Sequence, residues 1–133
     1  FFDVSIAQEE FDDCMEVFYQ YRGDLLTGGI CIKEFPRLKF YGERPNEYRA
    51  FYANGEIVSI CKNSGQKNFT QEPPKEFVEK YKNLPSIYYT VDFAELADGT
   101  WKVLEAGDGS VSGLSEFQDA EQYFRALYYA LND

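Results

Sequence analysis

From Ser5 to about Leu25, apolar residues return at three- and four-residue steps: Phe11, Cys14, Met15, Phe18 and Leu25. That period predicts an amphipathic helix. Ser5 is placed to cap it, with Gln8 positioned for a capping box, and Gly28-Gly29 ends the pattern. Ile30 to Phe35 predicts a short strand stopped by Pro36, and a polar loop follows from Arg37 to Asn46. Tyr48–Ala53 and Glu56–Cys61 are β-rich runs joined by Asn54-Gly55. Asn-Gly is the strongest short-range signal for a hairpin, because both of its residues tolerate positive φ. Asn63 to Pro74 is polar and irregular in pattern, and Lys75 to Lys82 predicts a short helix after two prolines. Ile87–Leu96 and Trp101–Leu104 predict a second hairpin turned through Asp98-Gly99. A Gly/Ser-rich loop spans Gly107 to Ser112. Ser115 then opens a final helix with an apolar stripe of Phe117, Ala120, Phe124, Leu127, Tyr128 and Leu131. The expected class is α+β: a largely antiparallel sheet built from two hairpins, with helices packed on it, in a single domain over residues 1–133.

A two-residue turn at Asp98-Gly99 fixes what the second hairpin sets side by side. Leu96 faces Trp101, Glu95 faces Lys102, Ala94 faces Val103 and Asp92 faces Glu105. Two carboxylates then share one face at the open end of the ribbon. With β-carbons about 5 Å apart they repel by roughly 3 kcal/mol at an effective dielectric near 20. A whole domain is stable by only about 5–15 kcal/mol, so the repulsion needs relief. One carboxylate could hold a proton, a Lys or Arg could insert, or a divalent cation could sit between them. Otherwise the pair splays into solvent. Oxygen-only ligands suit magnesium or manganese rather than zinc, and Asp108 and Ser110 bring more oxygens just beyond Glu105.

The same count on the first hairpin sets Glu47 opposite Lys62, Arg49 opposite Ile60 and Phe51 opposite Val58. All six would share a face that is apolar near the turn and charged at its open end. Lys62 and Arg49 could meet phosphate oxygens there, while Glu47 takes a ribose hydroxyl or simply neutralises Lys62.

Composition narrows the chemistry. The 133 residues carry 23 acidic and 13 basic side chains, a formal net charge of −10. That balance disfavours nucleic acid and anionic membrane as partners. Hydrophobic residues at 44% and aromatics at 18% are ample for a packed core. The absence of histidine excludes a Ser-His-Asp or Cys-His triad and any His-ligated zinc site. Cys14, Cys31 and Cys61 show no CxxC spacing and are expected to be reduced thiols of a cytoplasmic protein. No apolar run approaches membrane-spanning length.

Taken together, these segments resemble the ATP-grasp superfamily, and within it a bacterial and phage clade related to the ligases that add glutamate to proteins. The likeness covers about residues 28 to 114. Ile32-Lys33-Glu34-Phe35 resembles the hinge whose backbone holds adenine. Glu47-Tyr48-Arg49-Ala50-Phe51 resembles the segment that contacts ribose and phosphates. Val91-Asp92-Phe93 and Leu104-Glu105-Ala106-Gly107-Asp108-Gly109 resemble the metal-ligand strands, and the thirteen-residue interval from Asp92 to Glu105 fits them. The stretch from Asp108 to Leu114 resembles the loop that follows the ligands.

The resemblance implies an ATP-dependent ligase that activates a carboxylate as an acyl phosphate. Its cofactors would be ATP and Mg2+ (or Mn2+). It also implies an ATP-binding set of Lys33, Glu34, Phe35, Glu47, Arg49 and Lys62, with Arg49 catalytic. Asp92, Glu105 and Asp108 would hold the metal, and Gly109, Ser110 and Ser112 would form an acceptor loop. Two departures stand out: the family's Glu-x-Asn has Gly107 in place of asparagine, and only one helix precedes Ile30. The chain therefore reads as the C-terminal half of the fold. It would need an N-terminal half or a partner chain for catalysis, or would serve as a degenerate, non-catalytic interaction module.

Overall fold

A computed structural model of the chain describes residues 7–30 and 33–132. The chain divides into two compact units, residues 1–36 and 37–133. The first contains α1 (Phe11–Arg22), preceded by a 3-10 turn at Gln8–Glu10 and followed by another at Gly23–Leu25. The expected cap, Ser5, lies outside the described residues; instead the Glu10 side chain accepts the Ala7 N–H at 3.2 Å. Phe11, Cys14, Met15 and Phe18 are half-buried, as their spacing predicts. The strand expected over Ile30–Phe35 does not form among its described residues, where Ile30 and Lys33–Phe35 are exposed and irregular; Cys31 and Ile32 lie outside them.

The second unit is built on a four-stranded antiparallel sheet of β3 (Glu47–Ala53), β4 (Glu56–Lys62), β5 (Tyr88–Glu95) and β6 (Trp101–Asp108), in the order β4-β3-β5-β6. β3 and β5 are central, with aromatic and β-branched residues that pack well on a pleated surface. Alternate residues of these two strands divide between the faces. Ala50, Tyr52, Tyr89, Val91 and Phe93 pack against Val78 of α2 (Lys75–Glu79), flanked by Phe77, Tyr81, Ile57 and Trp101. Tyr52 and Tyr89 stack at 5.0 Å, and the Tyr52 hydroxyl donates to the Val78 carbonyl at 2.9 Å. On the opposite face Phe51 meets the ring of Tyr123 from α3 (Ala120–Asn132) at 5.0 Å, and the Tyr88 and Tyr123 hydroxyls hydrogen-bond.

Both hairpins depart from the expected register by a bulge. At Asn54-Gly55 the turn is as predicted, with φ of 50° and 79°, and Tyr52↔Ile57 and Ala53↔Glu56 pair around it. A bulge at Val58 then shifts the ladder, giving Phe51↔Ser59, Arg49↔Cys61 and Tyr48↔Lys62 in place of the expected partners. A one-residue slip moves a strand's side chains to the other face, so Lys62 and Ile60 do not share the face of Arg49.

In the second hairpin the tip is a three-residue loop, not a two-residue one. Leu96 N–H bonds the Thr100 carbonyl at 2.7 Å, Gly99 N–H bonds the Leu96 carbonyl at 2.8 Å, and Gly99 sits at φ 83°. Three-residue loops of this kind end in a left-handed residue, which glycine supplies at no steric cost. Glu95 therefore pairs with Trp101 and Ala94 with Lys102, not with the residues expected. A bulge that inserts Leu104 cancels the slip, and Asp92 returns opposite Glu105.

The expected polar loop at 37–46 contains a short hairpin, β1 (Phe40–Tyr41) with β2 (Arg44–Pro45). Polar side chains pin it to the end of β5. The buried carboxylate of Glu95, expected to pair with Lys102, instead accepts Asn46 Nδ2 at 2.8 Å and the Tyr41 hydroxyl at 3.0 Å, and lies 3.2 Å from Lys39 Nζ. The final helix starts at Ala120 rather than Ser115. Asp119 caps it by accepting the Gln122 N–H at 2.9 Å. Its inward face centres on Tyr123. Of the expected stripe only Leu127 is half-buried, and Phe117, Phe124, Tyr128 and Leu131 are exposed.

Candidate functional site

On the face covered by α3, three charged side chains stand in a row across three strands. Arg49 of β3 pairs in register with Asp92 of β5, and Asp92 with Glu105 of β6. Arg49 holds Asp92 by a two-pronged contact: Nε to Oδ1 and Nη2 to Oδ2, each 2.7 Å. The paired carboxylates are relieved from one side only: Arg49 flanks Asp92 on β3 and does not insert between Asp92 and Glu105. Paired guanidinium and carboxylate forks give strong, directional bonds. The Asp92 hydrogen bond raises the Arg49 pKa; burial opposes this, and the charges of Asp92 and Glu105 add to the rise. The row still carries one negative charge more than positive. The Glu105 side chain makes no hydrogen bond among the described residues and answers to Arg49 through charge alone.

Asp108 stands apart from this row. It lies three residues beyond Glu105, an odd number of steps along a strand, which turns it to the other face. Its Oδ1 accepts both the Ser110 hydroxyl (2.6 Å) and the Ser110 N–H (2.7 Å). Those bonds hold its carboxyl below the usual range. Among the described residues no group of three or more His, Cys, Asp or Glu side chains is arranged to hold a metal ion. Asp92 and Glu105 nevertheless fit magnesium. That ion is commonly anchored by one or two carboxylates and completed by substrate phosphates and water, and a carboxylate that receives an arginine fork still has lone pairs to share.

The remaining expected residues are distributed as follows. Glu47 accepts Asn63 Nδ2 at 2.7 Å rather than meeting Lys62. The Lys62 ammonium donates to the Asn68 carbonyl at 2.9 Å and lies 4.6 Å from the centre of the Phe117 ring. Lys33, Glu34 and Phe35 belong to the first unit, where they are exposed. Gly109, Ser110 and Ser112 form or flank a 3-10 turn, Gly109–Val111. Gly109 sits so close to Tyr88 that an added Cβ would come within 2.6 Å of its ring. Ser112 ties the turn down, sharing a 3.0 Å hydrogen bond with the Thr90 hydroxyl and donating to the Asp108 carbonyl at 2.9 Å.

Several residues of the site escaped the sequence. Thr90 lies two positions before Asp92, hence on the same face, and was legible from that spacing. Beside Arg49 opens a cavity of about 340 Å³ lined by Asn63, Ser64, Gly113, Leu114, Ser115 and Gln118. Those residues come from two irregular segments that only the tertiary fold brings together. Arg49 Nη1 reaches toward the Gly113 carbonyl at 3.4 Å.

A family model for an ATP-grasp domain, the third family of its clade, matches residues 5–127. The chain belongs to the ATP-grasp family. Neither a curated protein nor a solved structure matches it. The match extends over the strands that carry Arg49, Asp92 and Glu105, and over both compact units. Among the described residues, the three α-helices and the antiparallel sheets are those of an α+β, partial ATP-grasp fold. ATP-grasp domains in general bind ATP and magnesium. No helix among the described residues is long and apolar enough to cross a membrane.

Proposed function

We propose that this chain is the ATP- and magnesium-binding portion of an ATP-grasp ligase that joins a carboxylate to an amine or thiol. In this scheme a substrate carboxylate oxygen bonds to the γ-phosphorus of ATP as the bond to ADP breaks. The nucleophile then attacks the acyl carbon and phosphate leaves. Asp92 and Glu105 would hold magnesium, which when bound offsets phosphate charge. Arg49 stands beside them as a fixed cation and would stabilise the charge that develops during transfer. Lys33, Glu34 and Phe35 would meet adenine through backbone groups, with Glu47 and Lys62 toward ribose and phosphate, as the resemblance implies. Gly109, Ser110 and Ser112 would line the acceptor side. An N-terminal half or a partner chain would supply the remaining phosphate-gripping groups.

The observation that carries this reading is the Arg49–Asp92–Glu105 row, a pair of carboxylates with its own counter-cation inside an ATP-grasp match. Calorimetric titration with ATP, with and without magnesium, tests it. Binding should require magnesium and disappear in an Asp92→Asn/Glu105→Gln double variant that stays folded. A second reading is a degenerate module used for protein interaction. Gly107 and the full engagement of both Asp92 oxygens by Arg49 favour it, and it predicts no nucleotide binding under any magnesium concentration.

A further inference from the structure

Helix α3 is apolar on two sides. Tyr123 packs toward the sheet, with Ala126, Leu127 and Ala130 half-buried beside it. Successive residues turn by about 100° around a helix. Phe124, Tyr128 and Leu131, three and four residues apart, therefore form a second stripe along one flank. They are 60%, 64% and 42% exposed, and Tyr129, further round the outward side, is 57% exposed. The outward side of a surface helix is ordinarily charged or polar. Here the rings are braced by their neighbours: Phe124 meets Tyr123 edge to face at 5.1 Å, and Tyr128 meets Tyr129 at 5.7 Å. Rings held in this way lose little freedom when something covers them.

Charge and area select the occupant. The chain carries a formal −10, yet from Ala120 to Asn132 the only charged side chains are Glu121 and Arg125, which pair with each other at 2.9 Å. A basic partner would find its complement on the acidic remainder of the chain rather than on this neutral flank. Two copies of a like-charged chain meet with least repulsion where both are neutral. Three rings more than half exposed, at 150–250 Å² each, leave about 400–500 Å² of apolar area open together with Leu131. A standard interface buries about 800 Å² per partner, about 65% of it apolar in homodimers. The stripe supplies most of that apolar share. Antiparallel pairing of two α3 helices about a two-fold axis level with Ala126 would set each Phe124 against the partner's Tyr128, so the same aromatic contact forms twice.

We propose that the outward flank of α3, centred on Phe124 and Tyr128, pairs with the same flank of a second copy of this chain. The pairing does not depend on the function proposed above. Sedimentation equilibrium of the full chain from about 1 µM to about 300 µM tests it, and should show a reversible monomer–dimer equilibrium with a micromolar midpoint. Phe124→Glu/Tyr128→Glu brings two added carboxylates from each copy into the contact and should raise that midpoint at least about a hundredfold. Both side chains are mostly exposed, so this variant should keep the parent's Tm at a dilution where both are monomeric. Tyr128→Glu alone serves if the double variant does not fold. Lys67→Glu, at an exposed position outside α3, changes the net charge by the same amount and should move the midpoint by less than about threefold. Added NaCl should tighten the dimer or leave it unchanged, because it screens the repulsion between two acidic chains. A chain that stays monomeric over the whole range overturns the proposal. So does a dimer undiminished in the double variant, an equal loss in Lys67→Glu, or a dimer that dissociates as salt rises.

Discussion

The two faces of the central sheet use the same strands for opposite ends. On the face under α2, Ala50, Tyr52, Val91 and Phe93 are at most 1% exposed, with Phe77 edge to face on Phe93, Tyr81 tilted against it and Tyr52 stacked on Tyr89. On the face under α3, the residues one step away include Arg49, Asp92 and Thr90, and only the end near Phe51 is closed by an aromatic contact. The first face supplies burial, and the second keeps charge beside a cavity. Period-two alternation lets a strand such as β5 do both without a change of backbone. Stability should therefore depend on the closed face and ligand response on the open one.

Substitutions can break that division, starting with the largest effect. Phe93→Ala deletes a wholly buried ring packed on Phe77 and Tyr81 and should cost about 3–5 kcal/mol in urea unfolding. An equal loss from Arg49→Ala, on the open face with its side chain 31% exposed, would show that the faces do not differ.

Glu95 is the carboxylate at the margin of the closed face, and its substitution should cost about 2 kcal/mol. Burial on its own raises this carboxyl, but hydrogen bonds from Asn46, Lys39 and Tyr41 outweigh it, and the net pKa lies below the ordinary value. A folded pKa below the unfolded one stabilises at pH above the unfolded value, roughly 4.3. That contribution is lost as pH falls through the folded value. Stability of Glu95→Gln measured from pH 7 to pH 2 should accordingly fall less steeply than that of the parent chain.

On the open face the two carboxylates should behave unequally. Asp92→Asn removes a two-pronged partner of Arg49 and should cost about 1 kcal/mol without metal. Glu105→Gln removes the surplus negative charge and should be neutral or stabilising by a few tenths. Equal effects would mean that Arg49 is shared, contrary to the observed contacts. The smallest expected effect concerns Gly107, two residues beyond Glu105. An added Cβ there meets only the Thr90 hydroxyl at 3.5 Å, an ordinary contact. Gly107→Asn should leave folding almost unchanged and tighten Mg2+ binding several-fold by adding an oxygen ligand.

The sequence disclosed whatever a short window controls. Asn54-Gly55 dictated its turn and the helical periods located α1 and α3, whereas Asp92 opposite Glu105 was expected from a two-residue turn that does not form. The sequence hid what depends on tertiary context. Nothing local marks Val58 or Leu104 as bulge residues. Asp92 meets Glu105 because a longer turn and a bulge cancel, whereas Lys62 leaves Arg49 because the bulge at Val58 has no compensating turn. The buried side of α3 follows Tyr123, chosen by Tyr88 and Phe51 from distant strands. The 37–46 hairpin depends on Glu95, some fifty residues away. Arg49 was legible as a charged residue on the right face. Its capture of Asp92 was not, since that requires β3 to lie beside β5.

The central claim is that Asp92 and Glu105 form a divalent-ion site with Arg49 beside them. Mn2+ added to isotope-labelled chain tests it through paramagnetic broadening of backbone amide signals. The account predicts that substoichiometric Mn2+ broadens amides around Arg49, Asp92 and Glu105 first, and that excess Mg2+ reverses it. Broadening that begins elsewhere on this acidic chain, or that persists unchanged in Asp92→Asn/Glu105→Gln, would contradict it.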